Sequence, residues 1–472
     1  MSGYPTFPLI ADTPLYKLKH PSAWYPSQML QRSLDPLSRP FDDELDALLS
    51  GFRRGRALEV DFRELVGNPS ATDRFTHRMH PYPAKLLLNI PLFFLNCSQL
   101  AKPGAVVYDP FCGSGTVLVE GLVRGAIVQG ADSNPLARLI TRAKTTLISE
   151  DVVEAGLELI WSSLPRRRSK LPSGAIDLEK WFSPKVSAQL SRLRQALDSI
   201  PEGPAECFFK TCFSAVVSRV GLTDPTVPVP VRINARRKSL TKNQRKLRKQ
   251  WLEDRSTADV FGLFELFVEE NFERLRLLSE QCSNAQVSIF EDARTASGDG
   301  LVDLVISSPP YGSAQKYIRS SSLNLQWLGM APAGLRDLDR QCIGREHFNV
   351  SERVEVDAPL SSAKALLNKI GKINQLRRCI ATTFLIEMRD ALSRTCHRLR
   401  PHGHLVLIVG NNTVCGHRFD TQSYLTEICE TLGLELQLRL EDHIRSRGLI
   451  TKRHATSGLI SKETILLFKK TS

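Results

Sequence analysis

Asp109-Pro110-Phe111-Cys112-Gly113-Ser114-Gly115-Thr116 sets an acid shortly before two glycines. The acid can pair with an amine or hydroxyl, and the glycines let the backbone turn sharply and approach a ligand closely. Asp132, 23 residues past Asp109, is spaced to accept hydrogen bonds from ribose hydroxyls. The plainer alternative makes it a cap for the helix begun by Ser133-Asn134-Pro135. Far downstream, Ser308-Pro309-Pro310-Tyr311 places a hydroxyl acceptor beside two prolines, which lack N–H groups and stiffen the loop. Its tyrosine offers an aromatic face on which a base could stack.

Apolar runs that read as buried strands precede both groups. Ala105–Tyr108 delivers Asp109, and the 3.6-residue period from Thr116 to Val123 predicts the helix after the glycine loop. Ala126–Ala131 is a second strand, Gln286–Phe290 a third, Leu301–Ile306 a fourth and His404–Val409 a fifth. Leu434–Leu440 and Glu463–Phe468 can close the sheet as an antiparallel hairpin. Strand, glycine loop and helix form the first half of a nucleotide-binding crevice in a doubly wound α/β sheet. A long helix is expected from Ser361 to Leu399, stopped by Pro401 and Gly403. The stretch from 313 to 359 is too long for a simple connection, so it is expected to cover a substrate cleft.

Both motifs together resemble those of the S-adenosylmethionine-dependent, amino-methylating DNA methyltransferases, over roughly residues 75–148 and 286–470. The resemblance implies a Rossmann-like methyltransferase sheet whose cofactor loop holds Asp109, Pro110, Phe111, Gly113, Gly115 and Thr116. It also implies cofactor contacts from Asp132, from Asp292 toward the adenine amino group, and from His80, Tyr82 and Lys85 beside the methionine end. Ser308, Pro309, Pro310 and Tyr311 become the catalytic loop. There the Ser308 oxygen and the Pro309 carbonyl polarise the target amine for direct methyl transfer, without a covalent intermediate. An amine inside duplex DNA is inaccessible, so base flipping is implied. In this family Ser at the first motif position goes mainly with cytosine, which favours cytosine N4. Adenine N6, guanine N2 of RNA, and a DNA-binding protein without turnover are the alternatives.

Four regions follow: an N-terminal extension (1–70), the cofactor half (71–149), a helical insertion (150–285) and the catalytic half (286–472). Helical periods fill the insertion at Val152–Ser163, Pro184–Ile200, Ala205–Val220 and Ala258–Cys282. Between the last two, nine cations occur without an acid: Arg232, Arg236, Arg237, Lys238, Lys242, Arg245, Lys246, Arg248 and Lys249. Charge runs are usually solvated faces. With 472 residues, a net charge of +13 and a pI near 9.3, this run reads instead as a contact for DNA phosphates. Arg166–Arg168 and the Arg445–Arg453 loop are further phosphate candidates.

The composition also excludes several classes. No apolar run approaches ~18 residues, so no membrane span is expected, and no signal peptide is read at the N-terminus. The ten cysteines include no Cys-x-x-Cys pair, and Cys396-His397 has no second pair, so a cytoplasmic protein with free thiols and no metal is expected. No Pro-Cys dipeptide occurs, against a C5-cytosine methylase, and no Gly-Lys-Ser/Thr follows the glycine loop, against a P-loop. Double-stranded DNA is the expected partner, with a cognate restriction endonuclease as a second.

Overall fold

The computed structural model describes residues 39–67, 74–83, 86–167, 169–282, 285–312, 317–345, 348, 358–444 and 462–471. The chain divides into two units, Met1–Arg39 and Pro40–Ser472, and every element named below belongs to the second. Helix α1 (Asp42–Gly51), strand β1 (Leu58–Glu59) and helix α2 (Phe62–Val66) come first. A 3-10 turn at Phe75–Arg78 and helix α3 (Asn89–Leu95) lead into β2 (Val106–Asp109), α4 (Thr116–Val123), β3 (Ile127–Ala131) and α5 (Pro135–Thr145). Pro83 does not open the helix after it, which begins at Asn89 and buries all seven of its residues. Asn134 caps α5 by accepting from the Leu136 N–H at 3.1 Å, and Pro135 occupies the first turn, where a missing N–H costs nothing.

The insertion contains α6 (Glu150–Ser162), α7 (Pro184–Ala196), α8 (Pro204–Val220), α9 (Lys242–Thr257) and α10 (Val260–Ser279). It is not a detached module. Its Phe182, Phe209, Phe213 and Phe264 share one apolar core with Leu136 and Ile140 of α5. Strands β4 (Val287–Phe290) and β5 (Val302–Ser307) follow, then α11 (Tyr317–Ser320), α12 (Ser322–Trp327) and α13 (Leu335–Gln341). Trp327 of α12 is fully buried in that same core.

The single helix expected over 361–399 is two: α14 (Ser361–Ile373) and α15 (Gln375–Arg398). Asn374 divides them with an extended backbone (φ −155°, ψ 107°), and its side chain accepts from the Arg377 N–H at 3.1 Å. An Asn side chain competes with helical hydrogen bonding and is worth more as a cap. Strand β6 (Leu399–Val409) starts earlier than expected, with Pro401 and Gly403 inside it. Val302 pairs with Leu399 but Leu304 pairs with His404, so residues 400–403 bulge out of the ladder. The bulge is where a strand can tolerate a proline. Three elements went unforeseen here: the hairpin β7 (Asn412–Val414) and β8 (His417–Phe419), and helix α16 (Thr421–Thr431). Strands β9 (Leu434–His443) and β10 (Lys462–Lys470) come last among the described residues.

The main sheet runs β1-β9-β10-β6-β5-β2-β3-β4. Pairs β2–β3, β3–β4, β2–β5 and β5–β6 are parallel, whereas β10 is antiparallel to both β6 and β9. The fold is therefore a doubly wound α/β sheet with a terminal antiparallel hairpin. All six residues of β5 are buried, as expected of a strand covered on both faces. From β2 the chain winds to β3 and β4, then crosses back to β5 on the other side. That reversal puts the ligand crevice beyond the carboxyl ends of β2 and β5. No described helix is long and apolar enough to cross a membrane.

Candidate active site

Asp109 ends β2 and Ser307 ends β5, so the reversal brings together residues 198 positions apart. The Ser307 hydroxyl donates to Asp109 Oδ1 at 2.5 Å, and the Phe111 N–H donates to the same oxygen at 3.0 Å. Both side chains are buried. Burial pushes the Asp109 carboxyl up to about 7, although the Ser307 and Phe111 hydrogen bonds pull the other way. The loop then turns through Gly113 (φ +51°) and Gly115 (φ +78°), both left-handed. A Cβ at Gly115 would also meet Thr141 Cγ2 at 3.0 Å. Thr141 donates to the Gly113 carbonyl at 2.9 Å, tying the loop to α5. Pro110 and Thr116 are buried and Phe111 is half-buried.

Asp132, just past the end of β3, leans back onto the loop. Its Oδ2 accepts from the Gly113 N–H at 3.0 Å, and its Oδ1 accepts from the Asn134 N–H at 2.8 Å. Asn134 thus makes the helix cap, while Asp132 faces the glycine loop. Burial raises the Asp132 carboxyl to about 6 against those two amide donors. Tyr82 joins the same group: its hydroxyl accepts from Asn134 Nδ2 at 3.1 Å, and its ring lies 3.6 Å from where a Gly113 side chain would begin.

His80, Lys85 and Asp292 are the other expected cofactor residues. His80 is buried with Nε2 2.9 Å from the Ser214 hydroxyl of α8, toward the insertion. Lys85 lies outside the described residues. Asp292 follows β4 as expected, but Arg294 clamps it: Nε is 2.9 Å from Oδ1 and Nη2 2.5 Å from Oδ2. Arg294 in turn donates to the Gln341 carbonyl at 2.8 Å, which ties that clamp to the end of α13.

What holds the segment before Tyr82 is a buried ion cluster that sequence reasoning missed. Glu120 of α4, wholly buried, accepts from Arg74 Nη2 at 2.6 Å and lies 2.7 Å from His77 Nε2. Burial alone would raise the Glu120 carboxyl, but His77 and Arg74 together bring it down to about 2. An acid in an apolar helix (Val117, Leu118, Val119, Leu122) is the signal that could have found it, since a buried charge needs a partner.

The stiff loop at the end of β5 is fixed at its far end too. The Tyr311 hydroxyl donates to Glu463 Oε1 of β10 at 3.0 Å, and Asn412 Nδ2 donates to the Gly312 carbonyl. Burial drives the Tyr311 phenol well above its usual range, with Glu463 adding to the rise and Ser308 opposing it. Ser308 and Pro310 are half-buried and Pro309 is buried. Ser308 through Tyr311 therefore sits between the Asp109 loop and the terminal hairpin. Glu463 and Asn412 carried no sequence signal. Among the described residues, no group of three or more His, Cys, Asp or Glu side chains could hold a metal ion.

The basic run lies on the insertion. Helix α9 emerges from it, opened by a capping box in which Thr241 and Gln244 satisfy each other's backbone N–H groups. Arg232, Arg236, Arg237, Lys238, Lys242, Arg245, Lys246 and Lys249 are exposed. Arg248 departs from the expected pattern, because its Nη1 pairs with buried Asp224 Oδ2 at 2.5 Å. Arg168 and the loop cations Arg445, Arg447, Lys452 and Arg453 lie outside the described residues.

Residues 76–200 match the RMKL-like methyltransferase domain model, well under half of the chain. The type II methyltransferase M.MvaI of Kocuria varians is 24% identical over 431 residues, covering 84% of this chain and 92% of that protein. A presumed DNA modification methylase of Thermus thermophilus, solved with S-adenosyl-L-methionine, is 16% identical over 38% of this chain, which spans 54% of that protein, with a TM-score of 0.21. A TehB-like S-adenosylmethionine-dependent methyltransferase of Corynebacterium glutamicum is 11% identical over 79% of this chain and 83% of its own, with a TM-score of 0.23.

Proposed function

We propose that this chain is an S-adenosylmethionine-dependent DNA methyltransferase that modifies the exocyclic amine of a flipped base, cytosine N4 in preference to adenine N6. The observation that carries the reading is the direct contact between Asp109 and Ser307, which joins the glycine loop to the Ser-Pro-Pro-Tyr loop at one crevice. The full-length likeness to a type II methyltransferase supports it. That likeness also motivates a cognate restriction endonuclease as partner and a cytoplasmic location beside the DNA.

The residues present fit the cofactor. Among the described residues Asp109 uses only Oδ1, so its Oδ2 is left to accept from the cofactor's ammonium. Asp132 keeps acceptor capacity for ribose hydroxyls, because an ionised carboxylate has about four lone-pair sites and two are occupied. Asp292 reaches an adenine amino group only if it shares its carboxylate with Arg294. When bound, the cofactor supplies an electrophilic methyl group on a sulfonium.

The chain's own part is to hold the amine and its base. The Ser308 oxygen and the Pro309 carbonyl accept the amine hydrogens, drawing the nitrogen toward tetrahedral geometry. A neutral Ser308 hydroxyl can also donate to the adjacent cytosine N3, which an ionised Asp could not do. Tyr311 provides the stacking face, steadied by Glu463. The exposed cations of 232–249 meet the phosphate backbone.

Mass spectrometry of nucleosides from DNA treated with the purified protein tests this reading. N4-methylcytosine is the expected product, lost with cofactor binding in Asp109→Ala. Ser308→Ala should keep cofactor binding and lose most turnover. N6-methyladenine as sole product overturns the cytosine assignment, and modification of RNA alone overturns the DNA assignment.

A further inference from the structure

The two successive hydroxyls that end β5 and open the loop after it have different partners. Ser308 belongs to the catalytic loop. Ser307 is fully buried and, among the described residues, its hydroxyl bonds only to Asp109. A buried hydroxyl costs free energy unless it is bonded, so a small apolar residue would pack there at less cost if the position served the strand alone.

We infer that Ser307 is a positioning residue: its hydroxyl holds Asp109 Oδ1 so that Oδ2 is presented to the amino group of the cofactor. The inference rests on the proposed function. Its physical basis is that a carboxylate on a free rotor would lose much of its ion-pair geometry. Here the Phe111 N–H and the Ser307 O–H converge on one oxygen and fix the plane of the group. The contact also joins the ends of the neighbouring strands β2 and β5, so the strand that delivers the catalytic loop sets the orientation of the acid that holds the cofactor.

Protonation gives a readout that packing alone would not move. Asp109 is held near 7 by burial, opposed by Ser307 and the Phe111 amide and assisted by Asp132 beyond β3; its other titratable neighbours are the Cys112 thiol of the same loop and the Tyr108 phenol of β2. Losing the Ser307 donor removes a hydrogen bond that favours the ionised acid, so the carboxyl rises further. Cofactor binding that needs the carboxylate then fails at a higher pH than in the natural protein. The ammonium of the ligand stays protonated over that acid limb.

Calorimetric titration of the full-length protein with S-adenosylmethionine, at about pH 7.5 and downward, tests this by reading the carboxylate's protonation. Ser307→Ala should weaken affinity roughly tenfold or more at the starting pH, the scale of a hydrogen bond to a charged group. The midpoint of the acid limb should move up. Ser307→Thr should restore both, and Ser307→Cys, similar in size but a weak donor, should resemble Ala. Ala and Cys variants that bind with natural affinity and an unmoved limb overturn the inference while leaving the proposed function standing. A natural protein that does not bind S-adenosylmethionine overturns both. If Ser307→Ala fails to fold, as seen by circular dichroism, the Cys variant decides the matter alone.

Discussion

Two buried carboxylates at the base of the site titrate in opposite directions, and their partners explain why. Glu120 meets two cations, so its folded pKa lies below its ordinary 4.5, at about 2. A depressed acid contributes stability that is fully present above 4.5 and is lost as pH falls toward 2. Glu120→Gln would leave Arg74 and His77 facing a neutral amide. It should lower the unfolding free energy by about 3 kcal/mol in chemical denaturation, the scale of a broken buried pair. It should also remove most of the acid-dependent loss between pH 4.5 and 2. Asp109 meets no cation among the described residues, and its pKa stands at about 7 rather than 3.8. It therefore opposes folding in full above pH 7, and that opposition fades as pH falls from 7 toward 3.8. A bound ammonium would offset it, so cofactor should stabilise the protein more at about pH 8 than at about pH 6, as thermal shift can measure. At Gly115, an alanine would combine left-handed strain of roughly 1–2 kcal/mol with a 3.0 Å approach to Thr141. Loss of cofactor binding by calorimetry is the expected outcome.

Among the elements, α9 and the loop before it show how one charge run divides into two roles. Eight of its nine cations are exposed, and Arg248 turns inward to Asp224. Replacing Arg232, Arg236, Arg237 and Lys242 with neutral residues should weaken DNA binding across all sequences. The slope of log affinity against log salt should shrink by up to ~0.9 for each phosphate interaction removed. Arg248→Ala should behave differently. It should leave the salt slope nearly unchanged and cost about 1–3 kcal/mol of stability, because Asp224 stays buried without its cation. An unchanged slope in the fourfold variant returns the run to a merely solvated face.

At the scale of the whole molecule, the insertion and the sheet depend on one another. Helix α5 turns Leu136, Leu139 and Ile140 toward Phe208, Phe209 and Phe213 of α8, and α12 seals Trp327 against Phe182 at a 5.5 Å ring separation. Asn324 of α12 donates to the Ser214 carbonyl at 2.8 Å, and Ser214 also meets His80. Excising residues 150–285 would expose this apolar face beside the glycine loop. The shortened chain should aggregate or lose its cooperative thermal transition, by size-exclusion chromatography and circular dichroism. A stable, monomeric remainder that still binds cofactor would show instead that the insertion is a separable module.

Local patterns by themselves determined much of this protein. Apolar runs leading to Asp109, Asp132 and Ser308 mark strands whose ends carry polar groups, and Asn134-Pro135 announces a helix start through rules that act within one turn. Asn374 splits α14 from α15 by the same short-range rule, although the residues on either side of it read as one long helix. Contacts set by strand order were not legible. Ser307 meets Asp109 across 198 residues and Glu463 meets Tyr311 across 152, because β5 and β10 reach their places only after the chain reverses and the final strand inserts antiparallel. Whether Asp292 stands open or clamped, and whether Arg248 faces solvent or Asp224, depends on which charges the packed chain brings within about 3 Å. Sequence thus determines which groups are available, since propensity and periodicity are short-range. Partnership between them is long-range, decided by sheet topology and by the cost of leaving a buried polar group alone.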